Sequence, residues 1–404
     1  TYNSRDERAN TLFGQGWNTS FNVELRIGTA PGGLIRSPVL APGEACLIYV
    51  DDSGRETLFP LLEPGQSHIS VAEGMELMRT EGGEFVMRTI DGLHRVFDLP
   101  LEQERIDATE LPQLALSPQT LLLRRIEDRN GNFIELRYDY DRRLLEMTDR
   151  ANRLLVVEYA QPFRANDPGT LRPSSIRLVK PAEGETPGEL VRYRYDSTGQ
   201  LNQVFNRKGE LVRSFGYSPA PASEAAAGLK PDRYLMSTHV QPSGLQCNYT
   251  WAQFADGPRI VRHWTNDDES YQFEYAINVE DNPPEAPRLS GGATRVTDHL
   301  GRVQVWEWNA RFECTSYTNP ENETARFQYD ALSQLVRETA PDGAVTELRW
   351  DDEGNLITII DALGRRQVTR WVETLHLPSA HMGPDGKAWT YSYDIAGNLL
   401  SETD

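Results

Sequence analysis

Catalysis and metal binding need side chains that converge, and the chain offers few candidates. Its seven histidines are scattered, and only His376 and His381 lie close together. A spacing of five suits neither face of a strand, and no cysteine or second carboxylate pair completes a metal set. Acidic pairs stand at Asp51/Asp52, Asp267/Asp268 and Asp351/Asp352. Neighbours on a strand point opposite ways, so these carboxylates are expected to cap backbone N–H groups in turns, not to act as acid–base couples. No spaced D-x-D-x-D loop supports calcium. Cys46, Cys247 and Cys314 lie far apart and form neither a disulfide framework nor a CxxC pair. Gly14-Gln15-Gly16 has no lysine and no following helix pattern, so it is no phosphate loop. No Ser–His–Asp arrangement appears. The expectation is no catalysis, no cofactor and no metal.

What must be positioned is instead a ladder of aromatics. Trp308, Tyr329, Trp350, Trp371 and Tyr393 follow one another at steps of 21, 21, 21 and 22 residues. Three rungs share a text: Tyr329-Asp330 through Leu335, Trp350-Asp351 through Gly354 to Leu356, and Tyr393-Asp394 through Gly397 to Leu399. Between the rungs lies a second mark, as at Asp298–Arg302 and Asp361–Arg365. A fixed period with two turn signals per cycle means one supersecondary unit copied many times. The intervening segments run about six to nine residues, a strand length, and alternate in polarity, as at Leu348 and Trp350 with Glu347 and Arg349. Each cycle is therefore a β-hairpin, and successive cycles build a long antiparallel sheet. Earlier rungs fall at Tyr138, Tyr159, Tyr195 and Tyr217, with Tyr195-Asp196 through Gly199 matching the later text. Asn130-Gly131 between two strands predicts a two-residue hairpin turn.

Composition agrees with a soluble β-array. The formal net charge is −19, which disfavours nucleic acid or an anionic membrane as a general partner. No apolar run approaches the ~20 residues that span a bilayer. Residues 1–115 are strand-rich but lack the regular period, and 116–404 carry the repeats, with a soft boundary in the Leu- and Pro-rich stretch 111–123. Insertions dense in Pro, Gly and Ala near 161–189, 218–232 and 276–292 predict loops on the sheet's rim. In the opening stretch, Tyr2 precedes Phe13-Gly14-Gln15-Gly16-Trp17, where two glycines bend the chain and present Phe13 and Trp17 to one neighbourhood.

The Tyr-Asp-x-x-Gly-Asn/Gln-Leu units, the Asp-x-x-Gly-Arg marks and the opening motif together resemble the YD repeats of the Rhs family. The same repeats occur in insecticidal toxin-complex C subunits and in teneurins, and the opening motif is similar to the bacterial branch. The resemblance implies an all-β, antiparallel YD-repeat sheet that spirals into part of a hollow, cocoon-like shell. In bacterial members such a shell encloses a toxic carboxy-terminal domain, often delivered by type VI secretion. It implies as partners the remainder of the same polypeptide (further repeats, a core-terminal plug and the toxin cargo), with a secretion-spike protein and a chaperone. It also implies synthesis in the bacterial cytoplasm before delivery. The family's self-cleaving aspartyl protease and toxin segments have no counterpart here, so the chain is expected to be a non-enzymatic piece of a larger polypeptide. The competing expectation is a module that binds carbohydrate or a receptor through exposed Trp306, Trp308 and Trp371.

Overall fold

The computed structural model describes residues 2–4, 11–30, 40–89, 91–98, 119–139, 142–160, 172–221, 233–254, 256–280, 288–372 and 376–404. Among these there are thirty strands, every pairing is antiparallel, and the sole helical element is a 3-10 turn at Val71–Glu73. The architecture is all-β, as the repeat predicts. The boundary expected at 115/116 lies outside the described residues.

The first eight strands are β1 (Glu24–Thr29), β2 (Ala45–Val50), β3 (Glu56–Pro60), β4 (Ser67–Ser70), β5 (Met75–Arg79), β6 (Phe85–Thr89), β7 (His94–Asp98) and β8 (Gln119–Glu127). Alternate residues of each point to one side: Leu25 and Ile27, Leu47 and Tyr49, Phe59, Leu77, Phe85 and Met87, Phe97, Leu121 and Leu123. They sit opposite one another across the ladders, as Ile27 with Leu47, Leu47 with Phe59, Phe85 with Phe97, and Phe97 with Leu123. Closure comes from β8, whose first half pairs with β1 through Leu121 and Leu25. The circuit is thus a small barrel, interrupted where β3 and β4 adjoin without a ladder. Arg79 plugs that end: it is 1% exposed, its guanidinium lies over the Phe85 ring at 5.2 Å, and its Nη1 donates to the Leu62 carbonyl at 3.2 Å. Every inward side chain named above is nearly or fully buried. This part of the molecule is solid, not hollow, because burying large aliphatic and aromatic groups is its main source of stability.

The repeat sheet grows from β8. The second half of β8 pairs on the same edge with β9 (Phe133–Tyr138), so the ladder forks there between β1 and β9. Twenty-one further strands follow as an uninterrupted meander to Leu399–Thr403. Of the expected insertions, the one near 161–189 contains a strand, Pro173–Lys180. The one near 276–292 is partly ladder: Ser270–Glu280 and Arg288–Asp298 are paired strands of eleven residues, which lengthens that hairpin. The rest of these insertions and the 218–232 stretch lie largely outside the described residues.

The meander curls back to meet its own start. The Asn398 side-chain amide donates to Asn130 Oδ1 at 2.9 Å, joining the last described turn to the turn between β8 and β9. Gly354, in the rung-side turn two cycles earlier, abuts Val71 in the 3-10 turn that follows β4. These contacts are turn against turn and not a ladder, so the sheet spirals without sealing into a cylinder.

Candidate functional site

The hairpin turns at Asp196, Asp330, Asp351 and Asp394 on the rung side are closed by the same clamp. In the Asp196 turn the backbone N–H of Asp196 donates to the Gln200 carbonyl at 2.9 Å, and that of Gly199 to the Asp196 carbonyl at 3.0 Å. The Asp196 carboxylate then accepts from the N–H groups of Thr198 and Gln200 at 2.8 and 3.1 Å. Asp330, Asp351 and Asp394 repeat this, accepting from the second and fourth N–H groups that follow each of them. The fourth turn position needs positive φ: Gly199 has 80°, Gly354 85° and Gly397 84°, while Ser333 stands at 64°. This is a type I turn followed by a left-handed bulge residue, the three-residue hairpin loop. The Asn130-Gly131 turn is of this kind too. Only Gly131 is left-handed, with φ 72°, and Asp128 supplies the clamp, so the expected two-residue turn gives way to a three-residue one. Asp51 and Asp351 cap turns as expected of acidic pairs, whereas beside Asp267 the acceptor is the Thr265 hydroxyl.

Clamp and rung are coupled by a bulge. Beside the rung aromatics described, Tyr275 excepted, the register shifts by one residue, so that Tyr138 faces Leu144, Tyr195 faces Leu201, Trp350 faces Leu356 and Tyr393 faces Leu399. The carbonyl of that facing residue is then claimed by the next rung. Trp350 Nε1 donates to Leu335 O at 2.8 Å, Trp371 Nε1 to Leu356 O at 3.0 Å, and the Tyr393 hydroxyl to Pro378 O at 2.8 Å. Tyr138, Tyr159, Tyr195, Tyr217, Trp251 and Tyr275 do the same onto Leu123, Leu144, Pro173, Leu201, Met236 and Ile260. A buried carbonyl left without a donor is costly, which explains why these nine rungs are tyrosine or tryptophan and never phenylalanine. Burial in turn pushes the hydroxyls of Tyr138, Tyr159, Tyr195 and Tyr217 above their ordinary pKa, keeping them protonated donors. Among the described residues Trp308 and Tyr329 stand outside this relay. Trp308 stacks on Phe312 with centroids 5.2 Å apart and lies over Gly292, where a Cβ would approach its ring to 2.5 Å. Tyr329 faces Leu335 across the bulge, half-buried.

The rung side of the sheet, onto which the amino-terminal strap folds, is taken as the concave side. It carries the aromatics together with His239, His263 and His381, which stack on Phe215, on Tyr249 and Tyr271, and on Trp389. The opposite parity carries exposed charges, Arg192, Glu307, Arg326, Glu347, Arg349 and Arg370 among them. Trp306, Trp308 and Trp371 are half-buried on the concave side, and Trp371 has its N–H engaged, so they do not form an exposed outer platform. His376 donates from Nδ1 to Asn355 Oδ1, 2.8 Å away, in a turn, and does not meet His381. Among the described residues no three His, Cys, Asp or Glu side chains stand together as a metal-holding group.

Onto this concave face folds the amino-terminal strap. Tyr2 and Trp17 form an antiparallel bridge, and the Asn3 N–H donates to Gly16 O at 2.7 Å. Gly14 and Gly16 take φ of 102° and 81°, and a Cβ on Gly16 would press to 2.7 Å from the Tyr2 ring. Phe13 meets Tyr193 at 4.6 Å between centroids, and Trp17 meets Phe215 at 4.7 Å. Met236 N–H donates to the Tyr2 hydroxyl at 3.0 Å. The shared neighbourhood expected for Phe13 and Trp17 is therefore one contiguous cluster with Leu201 and Phe215. Beside the strap a cleft of about 650 Å³ opens between Tyr2, Trp17, Phe215, His239, Tyr249 and Trp251. Two features were not legible from the rung text: the carbonyls that accept from the rungs, and Arg172, whose Nη1 ties the Thr11 carbonyl at 2.8 Å. The recurring leucine five residues after each clamp aspartate was the available signal for the first.

Fold and site together define an all-β hairpin-repeat protein. The family model for the RHS repeat matches residues 313–345, 329–366 and 375–404. The chain is 28% identical over 310 residues to the double-stranded DNA deaminase toxin A of Burkholderia cenocepacia, covering 77% of this chain and 17% of that protein. It is 26% identical over 386 residues to the toxin protein Tse5 of Pseudomonas aeruginosa, covering 89% of this chain and 26% of the relative. A complex of TcdB2 and TccC3 without its hypervariable carboxy-terminal region superposes with a TM-score of 0.41 at 13% identity, over 89% of this chain and 19% of that one. The chain carries RHS repeats within residues 313–404 and spans about a fifth of the length of these curated relatives.

Proposed function

We propose that this chain is wall material: a segment of the shell of a bacterial RHS-repeat toxin that encloses a toxic domain of the same polypeptide until delivery. The observation that carries the reading is the division of the sheet's faces. An ordinary two-layer β-protein covers its apolar face with a second sheet. Here the aromatic concave face of the repeat sheet is only half-buried across strand after strand, while ions line the convex face. A half-buried aromatic surface suits an enclosed polypeptide held loosely, and a charged exterior keeps a long sheet soluble. The toxin relatives support the same reading, since each is several times longer than the matched region. In this reading the chain itself does no chemistry, its further partners are the rest of its polypeptide, a secretion spike and a chaperone, and delivery by a type VI machine serves competition between bacteria.

The test is cryo-EM of the complete polypeptide. Cargo density against Tyr249, Trp350, Trp371 and Tyr391 is the expected result. Cargo lying on the charged convex face, or a second sheet packed on the aromatic one, would sink the proposal.

A further inference from the structure

Beside the amino-terminal strap, the concave cleft of about 650 Å³ has walls of two kinds. Phe215, Tyr249 and Trp251 supply rings, and Asn3, Ser4 and Ser53 supply small polar groups. Asn3 Nδ2 donates to the Ser53 carbonyl at 2.6 Å, so the strap and the barrel turn at Asp51 share one rim. Arg213 stands two residues before Phe215 on strand Leu211–Pro219 and lines the cleft with it. Its Nη1 donates to the carbonyl of its neighbour Val212 at 3.2 Å, and among the described residues no carboxylate pairs with it.

The charge at this cleft has one sign. Burial, and then the Arg213 charge, hold His239 below the ordinary imidazole range, so the ring is neutral at neutral pH and the guanidinium is the fixed cation. The charge felt by the Tyr2 hydroxyl is that of Arg233. Asp51, in the turn that supplies Ser53, is spent on the N–H groups of Ser53 and Arg55. None of the described lining residues is Asp or Glu, in a chain whose formal net charge is −19. A guanidinium fork beside aromatic rings complements a carboxylate that has an apolar neighbour.

We infer that this cleft binds an acidic segment of the enclosed polypeptide, with an Asp or Glu carboxylate on Arg213 and an adjacent apolar side chain against Phe215, Tyr249 and Trp251. The source of that segment depends on the shell reading; the chemistry of the cleft does not. The guanidinium supplies the charge-assisted hydrogen bonds, and the rings bury the neighbouring side chain without an ordered second sheet. The strap, by pinning Tyr2 and Asn3 across the mouth, holds the two walls apart at a fixed width.

The experiment titrates this chain with two capped peptides carrying a neutral dye, Gly-Phe-Glu-Gly and Gly-Phe-Gln-Gly, followed by fluorescence anisotropy. The glutamate peptide is expected to bind at least about tenfold more tightly, the scale of a hydrogen bond to a charged group. Arg213→Gln should abolish that difference, so that both peptides bind alike, and Arg213→Lys should retain part of it. Because Arg213 bonds only to the adjoining carbonyl among the described residues, its replacement should leave the thermal midpoint unchanged. Should Arg213→Gln not fold, the ratio between the two peptides on the unaltered chain still decides. Equal binding of the two peptides, no binding of either, or a preference for glutamate that survives Arg213→Gln would each overturn the inference. A failed titration with cargo density still on the concave face would remove this contact and leave the shell reading standing. A positive titration with cargo density only on the convex face would remove the shell reading and, with it, the enclosed segment as the occupant.

Discussion

Trp17 and Tyr217, two hundred residues apart, share a hydrogen bond: the indole Nε1 donates to the phenol oxygen at 2.9 Å, and the phenol donates onward to Leu201 O at 2.6 Å. The amino-terminal strap is thereby spliced into the rung relay. Trp17→Phe keeps the ring against Phe215 and removes only the donor, so it should cost about 1 kcal/mol. Trp17→Ala removes the ring as well and should cost about 3–5 kcal/mol. Tyr217→Phe strips the Leu201 carbonyl too, and should cost more than Trp17→Phe. Because the two groups act in one chain of bonds, the double variant Trp17→Phe/Tyr217→Phe should lose less than the two singles added together. Urea denaturation of the four proteins measures this, and strict additivity would show the strap to be packed but not coupled.

The contact between successive windings can be read from two glycines of like geometry. Gly354 and Gly343 have φ of 85° and 86°. A Cβ on Gly343 would meet open space, whereas one on Gly354 would stand 2.9 Å from Val71 Cγ1 and 3.3 Å from Val71 O. Gly343→Ala should therefore show only the left-handed backbone penalty, about 1–2 kcal/mol. Gly354→Ala should cost measurably more, and should raise hydrogen exchange around Val71–Glu73, a segment distant from the substituted hairpin in sequence but adjacent in space. Equal effects of the two substitutions would mean the windings do not touch there in solution.

Acid should act on the fold in two stages. His68, His94, His239 and His263 are all held below the ordinary imidazole range, with burial the leading cause. The folded state therefore binds these protons less readily than the unfolded chain, so stability is undiminished above pH ~6.5 and erodes as pH falls below it. The clamps come next. In Asp394 the Asn398 amide and following N–H groups depress the carboxyl pKa; in Asp361 desolvation pushes it up, but the Arg365 and backbone hydrogen bonds outweigh that. Their contribution is present above pH ~4 and disappears as pH falls through the depressed value. Asp361→Asn should keep the neutral-pH stability, since Asn206, Asn309 and Asn319 already serve as clamps, and should blunt the second stage. Asp361→Ala should lose stability at neutral pH as well. A pH series of thermal midpoints separates the two variants.

How much of this was legible in the sequence depends on the range of the interaction. The rungs and clamps are local: Tyr195-Asp196 and Gly199 state a turn within five residues, and the 21-residue step restates it, so strand, turn and facing parity follow directly. The strap's target was half legible. Gly14 and Gly16 announce a bend that gathers Phe13 and Trp17, but nothing nearby names Tyr193, Phe215 or Met236. The closure of β8 onto β1 was not legible at all, because Leu121 opposite Leu25 joins segments with no common pattern. Asn130-Gly131 misled for a physical reason. Asn-Gly satisfies a two-residue turn, but Asp128 two positions earlier offers a carboxylate to two N–H groups and draws the chain into the longer loop.

The solid barrel and the repeat wall should also respond differently to truncation of an aromatic. Phe97 is fully buried between Phe85 and Leu123, with its ring edge against Tyr49 at 6.1 Å, so Phe97→Ala leaves a cavity that surrounding strands cannot fill. A loss of about 3–5 kcal/mol is expected. Tyr391 lies on the concave parity of Ala388–Tyr393, facing Glu402 and half-exposed, so part of its ring already touches water. Tyr391→Ala removes less buried area and should cost about 1 kcal/mol or less. The contrast is a property of the wall, since a face awaiting an enclosed partner gains little from its own aromatics until that partner arrives. In the complete polypeptide the Tyr391→Ala penalty should therefore grow relative to this chain, while the Phe97→Ala penalty should not. Denaturation of both variants in both contexts decides it: a Tyr391 effect that stays small beside bound cargo would mean that the concave aromatics hold the sheet together and touch nothing inside.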